Sequence, residues 1–225
     1  MVAAHRPLRP RAVPPRVLLT GFAPFGGNPT NPSALVARAL HGRQIAGHRV
    51  HAAELPTAFG AATDSLDALL AEHQPVLVVC LGLASGRAAL SLERVAINLD
   101  DASIADNAGA QPIDTPVVAG APAAYFSTLP IKAMAQVLQH TGVPVELSHT
   151  AGTFVCNHVF FTLMHRLATV PTLAGARGGF IHVPQLPDMG APSLPLELMV
   201  QGVRTALQVA LTTTADLRLT GGAVH

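Results

Sequence analysis

Short apolar runs alternate along the chain with longer segments of helical period. Arg16 to Thr20 (RVLLT) is an apolar run that stops at a glycine-rich turn, Gly21 to Gly27, and a helix-like segment begins near Asn31-Pro32-Ser33. Pro32 suits a first helical turn because it has no N–H to leave unpaired, and Asn31 or Ser33 supplies a capping oxygen. The alternation recurs: His48 to Glu54 predicts a strand, Phe59 to His73 a helix, and Pro75 to Leu81 (PVLVVCL) a strand apolar on both faces. A strand buried on both faces requires a covered, largely parallel sheet. Downstream, Arg94 to Leu99 is strand-like, Pro130 to His140 helical, Val145 to Ser148 a strand, Phe154 to Ala168 a helix, Gly178 to Val183 a strand, and Leu194 to Leu211 the last helix. The fold class is therefore α/β. Between Asp100 and Tyr125 the chain is rich in Asp, Pro, Gly and Ala without periodicity, long for an idle connection, and loops of this kind are often functional.

No internal repeat or strong linker divides the chain, so residues 16–215 read as one domain. Residues 1–15, with Arg6, Arg9 and Arg11 among prolines, read as a disordered basic tail without a secretory apolar core, and 216–225 as a C-terminal tail. A formal net charge of +1 with scattered charges gives no basic face for nucleic acid. Gly, Pro or charged residues interrupt every apolar run, which excludes a membrane-spanning helix; a cytoplasmic location follows as the expectation. Two cysteines without C-x-x-C or Cys/His clustering make neither a disulfide framework nor a metal site, so neither metal nor cofactor is expected.

Each cysteine needs its own reading. Cys156 lies in AGTFVCNH (residues 151–158), where a glycine turn leads into a helix with Val159, Leu163 and Leu167 on one side. A thiol in the first turn meets unpaired N–H groups and the positive end of the helix dipole, which favour a reactive thiolate. The alternative is a buried structural cysteine, and Cys80, inside VLVVCLG, fits that description better.

Eleven histidines compete as the proton-transfer partner. His158 is two residues away on the same helix and faces elsewhere; His41, His73 and His140 fall at predicted helix C-termini, where the dipole accounts for them. His182 sits near the end of the GGFIHV strand before a proline-rich loop, and strand C-terminal ends form the functional rim of open α/β sheets. A hydrogen-bonded core histidine is the competing account. Glu93 in SLERVAIN and Asp106 in the long loop are both candidates to hold the imidazole, against the plainer reading of Glu93 as a surface carboxylate or an arginine partner. The TGFAPFGG segment lacks the lysine of a P-loop and the glycine order of a dinucleotide site, and its phenylalanines suit a small apolar or planar ligand.

Four separated stretches, TGFAPFGG, ERVAIN, AGTFVCNH and GGFIHVP, resemble in sequence and order those of pyroglutamyl peptidase I, and the resemblance runs from Arg16 to about Leu211. It implies a cysteine peptidase that releases pyroglutamate from peptide N-termini, with Cys156 as nucleophile, His182 as proton-transfer residue and Glu93 orienting the imidazole. It also implies that Phe22 and Phe25 enclose the pyroglutamyl ring, and that Asp106 lies near the site. Leu83 and Val155 complete the expected substrate-binding set. The expected architecture is a single-domain, three-layer α/β/α arrangement around a mostly parallel twisted sheet, phosphorylase/hydrolase-like, and the resemblance implies a homotetramer. One departure concerns Gly82-Leu83-Ala84-Ser85-Gly86-Arg87, where some members carry Gln-Ala-Gly-Gly in place of Leu83 to Ser85: Leu83 removes a side-chain amide, which costs little if recognition there uses main-chain groups, as the resemblance implies, and costs selectivity for pyroglutamate if it uses the side chain. Three other readings compete: another thiol hydrolase of small lactams or acyl groups, a non-catalytic small-ligand binder using Gly21 to Gly27, and, on fold analogy alone, a phosphate-handling enzyme.

Overall fold

The computed structural model describes residues 14–222, so most of the N-terminal stretch read as a tail lies outside the described residues. Its elements in chain order are β1 (Arg16–Phe22), α1 (Pro32–Leu40), β2 (Gln44–Ile45), β3 (His48–Leu55), α2 (Phe59–His73), β4 (Leu77–Leu83), β5 (Leu90–Glu93), β6 (Val95–Ile97), β7 (Ala124–Phe126), α3 (Ile131–His140), β8 (Val145–Ser148), α4 (Val155–Thr169), β9 (Arg177–Val183) and α5 (Leu196–Thr212). Seven strands form the main sheet in the order β2-β3-β1-β4-β9-β5-β8. The β1–β3, β1–β4, β4–β9 and β5–β8 ladders are parallel, while β2–β3 and β5–β9 are antiparallel.

Strand β4 shows why the sheet is covered on both sides. Leu77 through Leu81 are fully buried, with Leu77, Val79 and Leu81 packing into one apolar layer and Val78 and Cys80 into the other. The first layer is completed by α1, α3 and α5 through Val36, Leu40, Met134, Leu138, Val203 and Leu207; the second by α2 and α4 through Leu66, Leu70, Phe160 and Phe161. Helix, sheet and helix thus make three layers.

Local chemistry sets the turn after β1. Asn31 caps α1, its Oδ1 accepting from the Ser33 N–H at 3.1 Å, and the Ser33 hydroxyl in turn accepts from the Phe22 N–H at 3.0 Å. The helix start presses directly on the strand end: a Cβ on Gly21 would lie 2.5 Å from the Ser33 carbonyl carbon.

The predicted strand over Arg94 to Leu99 is a different object in the structure. The main-sheet strand is β5, which ends at Glu93; the chain then leaves the sheet, and β6 pairs antiparallel with β7 in a two-stranded ribbon. Alternation hid β5 because Ser91 and Glu93, both polar, are as fully buried as Leu90 and Leu92. The long loop after β6 is stitched down throughout: Asn98 bonds Val118 and Ala121, Asn107 bonds the Thr57 and Pro24 carbonyls, and Asp101 and Thr153 bond each other. Residues 213–222, after α5, are irregular but held. Asp216 accepts from the Lys132 and Ala133 N–H groups and so caps α3, which has no side-chain cap of its own, while Arg94 and Arg177 donate to the Gly221 and Thr213 carbonyls. No helix among the described residues is long and apolar enough to cross a membrane.

Candidate active site

Three neighbouring strands and one helix start bring the chemistry together. His182 on β9 is the register partner of Ser91 on β5 and of Gly82 on β4. Register partners project to the same face of a sheet, so His182, the Cα of Gly82 and, two residues beyond Ser91, Glu93 address the layer that holds Phe180 and α4. Gly82 has no side chain because that space is taken: a Cβ there would lie 2.8 Å from Cys156 Sγ and 2.8 Å from Phe180 Cζ. The thiol therefore sits over the strand adjacent to His182, one strand spacing of about 4.8 Å away in the sheet.

The imidazole is fixed from the opposite side. His182 Nδ1 lies 2.7 Å from Glu93 Oε1; a carboxylate only accepts, so Nδ1 carries the hydrogen and Nε2 is left for a proton arriving from elsewhere. Glu93 is fully buried and His182 nearly so, at 4 % exposure. The Phe180 ring packs against the imidazole at 4.8 Å between centroids. One residue absent from the sequence-based expectation joins them: Arg87 Nη1 donates to the same Glu93 Oε1 at 2.8 Å and to Ser148 Oγ at 3.3 Å, while Nη2 donates to the Thr150 carbonyl at 3.2 Å. The second carboxylate oxygen of Glu93, Oε2, is buried without a partner. Arg87 was readable only as a neighbour of the glycine turn, because nothing in its local sequence says that a buried carboxylate waits opposite it.

Cys156 is the second residue of α4, and no side chain caps that helix at Phe154, which leaves N–H groups of the first turn, where the thiol sits, without a side-chain partner. The helix start does not by itself ionise the sulfur. Burial, then repulsion from the Glu93 carboxylate, pushes the Cys156 thiol up to about 12, with Arg87 acting in the opposite sense. This corrects the expectation of a standing thiolate. Cys80 is also pushed up to about 12, chiefly by burial; what separates the two is access, since Cys80 is sealed in β4 and Cys156 is half-buried at the edge of a cavity.

That cavity holds about 230 Å³ and is walled by Phe22, Phe25, Phe154, Leu83, Val155 and Cys156. Phe25 and Phe154 pack at 5.3 Å between ring centroids, and Phe59 buttresses Phe154 from behind, also at 5.3 Å. Three of the polar side chains on the wall are committed to the scaffold: Asn31 Nδ2 and Thr57 Oγ1 both donate to the Ala23 carbonyl, and Asn28 Nδ2 to the Phe25 carbonyl, while Thr30 and Ser85 also line the cavity. A small chamber of aromatic and uncharged polar side chains beside a thiol suits a compact uncharged group presented to a nucleophile.

Of the expected site residues, Cys156, His182 and Glu93 come together and Phe22, Phe25, Leu83 and Val155 line the cavity. Asp106 does not. Its Oδ2 accepts from the Phe59 N–H at 2.8 Å and its Oδ1 from the Ala108 and Ala110 N–H groups, each at 2.8 Å, so it caps α2 from a distance and holds the loop in shape. Helix α2 has no side-chain cap at Ala58, and Asp106 fills that role. His158 is structural as expected, with Nδ1 on Asp100 Oδ2 at 2.8 Å and Nε2 on Thr63 Oγ1 at 2.7 Å. Among the described residues no group of three or more His, Cys, Asp or Glu is arranged to hold a metal ion.

The sequence profile of the family described as pyroglutamyl peptidase matches residues 15–213. The chain is 56 % identical to a pyrrolidone-carboxylate peptidase of Cupriavidus taiwanensis over 94 % of its own length and all of that protein, and 51 % identical to one of Klebsiella pneumoniae over 93 % and 99 % respectively. Among solved structures, pyroglutamyl peptidase I from Bacillus amyloliquefaciens superposes with a TM-score of 0.89 at 38 % identity, covering 92 % of this chain and all of that one. Pyrrolidone carboxyl peptidase from Thermococcus litoralis gives 0.85 at 37 % identity over 88 % and 93 %. With the profile spanning nearly the whole domain and relatives of this identity matched end to end, the chain belongs to the pyroglutamyl peptidase family.

Proposed function

We propose that this chain is a cysteine-type exopeptidase that hydrolyses the bond after an N-terminal pyroglutamyl residue and releases free pyroglutamate. The observation that carries the reading is the alignment of Glu93, His182 and Cys156 across β5, β9 and α4 at the mouth of an aromatic-walled cavity. His182 Nε2 accepts the thiol proton as Cys156 Sγ attacks the pyroglutamyl carbonyl carbon, and the same imidazole delivers that proton to the leaving amine. Water, deprotonated by His182, then attacks the thioester; the thiol regains its proton and the free acid departs. Glu93 holds Nδ1 and balances the imidazolium. The uncapped N–H groups at the start of α4 face the oxyanion, a contribution of about 3 kcal/mol for one such donor in other acyl-transfer sites.

The lactam ring is a flat, uncharged head group, and the cavity rewards both properties. An ordinary N-terminus would carry an ammonium into the Phe22, Phe25 and Phe154 walls with no carboxylate on the cavity lining to meet it. The test is release of a fluorophore from a pyroglutamyl conjugate, against prolyl and glutamyl conjugates, before and after iodoacetamide. Turnover of the first only, abolished by alkylation, is expected; equal turnover of all three, or indifference to alkylation, overturns the reading. A cytoplasmic homotetramer is the accompanying proposal, drawn from family resemblance, and sedimentation of the purified chain reports the assembly.

A further inference from the structure

Resting on that peptidase reading, we propose that Arg87 is a positioning residue that balances the charge of Glu93, so that His182 serves as a proton acceptor and Cys156 can be ionised. The geometry is the ground for this. Glu93 is fully buried and offers a single engaged oxygen, Oε1, on which His182 Nδ1 (2.7 Å) and Arg87 Nη1 (2.8 Å) converge, while Oε2 has no partner. A buried carboxylate with only an imidazole beside it favours the imidazolium strongly, because an isolated charge in low dielectric draws a counter-charge. A histidine already holding a proton cannot take one from a thiol.

With a guanidinium on the same oxygen the carboxylate is neutralised before His182 changes state, and the imidazole is free to gain and lose its proton. Arg87 is held for this task by Ser148 Oγ and the Thr150 carbonyl, neutral acceptors that leave its charge to Glu93. The titratable and charged groups in contact here are Cys156 on α4, Cys80 on β4, Glu93 on β5, His182 on β9 and Arg87; Glu146 on β8 lies beside them, bonded to the Ser91 hydroxyl at 2.6 Å. The field acts on the sulfur in the same sense: Glu93 raises the thiol and Arg87 lowers it.

The experiment compares wild type, Arg87→Met and Arg87→Lys in two measurements. The first is the rate of Cys156 alkylation by iodoacetamide from pH 6 to 10, with Cys80→Ala as background, which needs no substrate. The second is the pH dependence of kcat/KM on the pyroglutamyl conjugate. Arg87→Met is expected to slow alkylation at pH 8 by about tenfold or more, the effect of one unit of thiol ionisation, and to move the acidic limb of kcat/KM to higher pH. Arg87→Lys, which keeps the charge, is expected to recover both to near wild type. Unchanged alkylation and an unchanged acidic limb in a folded Arg87→Met protein overturn the proposal, as does Arg87→Lys being equally impaired, since that outcome assigns the effect to shape. If Arg87→Met does not fold, adding Glu93→Gln removes the buried charge it exposes; Arg87→Met placed on Glu93→Gln is then expected to change alkylation less than twofold, and a tenfold change overturns the coupling. A wild type that leaves the conjugate uncleaved ends the peptidase reading, and the alkylation comparison still decides the role of Arg87.

Discussion

Cys156 and Gly82 form one unit, sulfur and the absence of a side chain beneath it. Cys156→Ala and Cys156→Ser are expected to lower kcat/KM on a pyroglutamyl conjugate by at least about 10³-fold with the fold intact, the scale seen when a nucleophile is removed from an acyl-transfer unit; circular dichroism and the fluorogenic assay check both halves. Gly82→Ala places a methyl 2.8 Å from both Sγ and Phe180 Cζ. Either the helix start or the ring must move, and we expect a loss of about 1–3 kcal/mol in stability together with a kcat reduction of about 10²-fold from misplacement of the attacking atom. A fully active Gly82→Ala enzyme would show that the thiol has room to spare. The thiol at a helix start and the imidazole at a strand end are legible as candidates in the sequence, whereas the role of Glu93 comes from the family resemblance alone, since the strand that ends on it shows no apolar alternation. The sequence could not reveal Arg87 or the crowding at Gly82, because both depend on which strands lie side by side, and β5 enters the sheet between β9, to which it is antiparallel, and β8, to which it is parallel, both later in the chain.

Two helix starts here are completed by residues remote in sequence, which leaves no local signature of the cap. α1 carries its own cap, legible at Asn31 and Pro32; α2 and α3 borrow theirs from Asp106 and Asp216. Asp106 looked like a functional loop carboxylate because a cap so far from its helix leaves no local signature. Its role has a pH consequence. Burial opposes ionisation, but the N–H groups of Phe59, Ala110, Ala108 and Gly109 outweigh it and hold the carboxyl below its ordinary value. A carboxyl depressed in the folded state stabilises the fold above the unfolded value of about 3.9 and loses that contribution as pH falls through the folded value. Asp106→Asn is therefore expected to cost about 1–3 kcal/mol at pH 7, with the gap to wild type closing below pH 4 in urea titrations. A variant as stable as wild type at pH 7 but with a raised KM would instead return Asp106 to the substrate.

The two ends of the sheet are divided between chemistry and acid sensitivity. The cavity lies at the Phe22 and Leu83 ends of β1 and β4; near their Arg16 and Leu77 ends, His41, His51 and His73 meet around Arg16, Arg49 and Glu72. His51 and His73 have ring centroids 3.7 Å apart, His51 and His41 5.2 Å, and the buried His73 Nε2 has no partner. Burial first, then His73 and His41, pushes His51 below its ordinary value, with Glu72 opposing. A histidine depressed in the folded state is held neutral there while the unfolded chain protonates, so stability falls as pH drops below about 6.5. We expect the thermal midpoint to decline between pH 7.5 and 5.5, and His51→Gln to flatten that decline; a parallel pair of curves would remove His51 as its source. The three-layer architecture followed directly from the apolar runs, since period and length alone distinguish a buried strand from an amphipathic helix. The order and direction of strands did not, because Ser91 and Glu93 put polar groups where burial predicts apolar ones.

The size of the aromatic chamber carries a consequence for how such an enzyme coexists with other proteins. About 230 Å³ walled by Phe22, Phe25 and Phe154 is room for one ring-sized head group, of the kind a chain end presents. A loop or a mid-chain segment presents no such group, however mobile. Under the proposed activity, self-digestion and damage to bystanders are thus limited by the fit of the head group, which the interior of a chain does not supply.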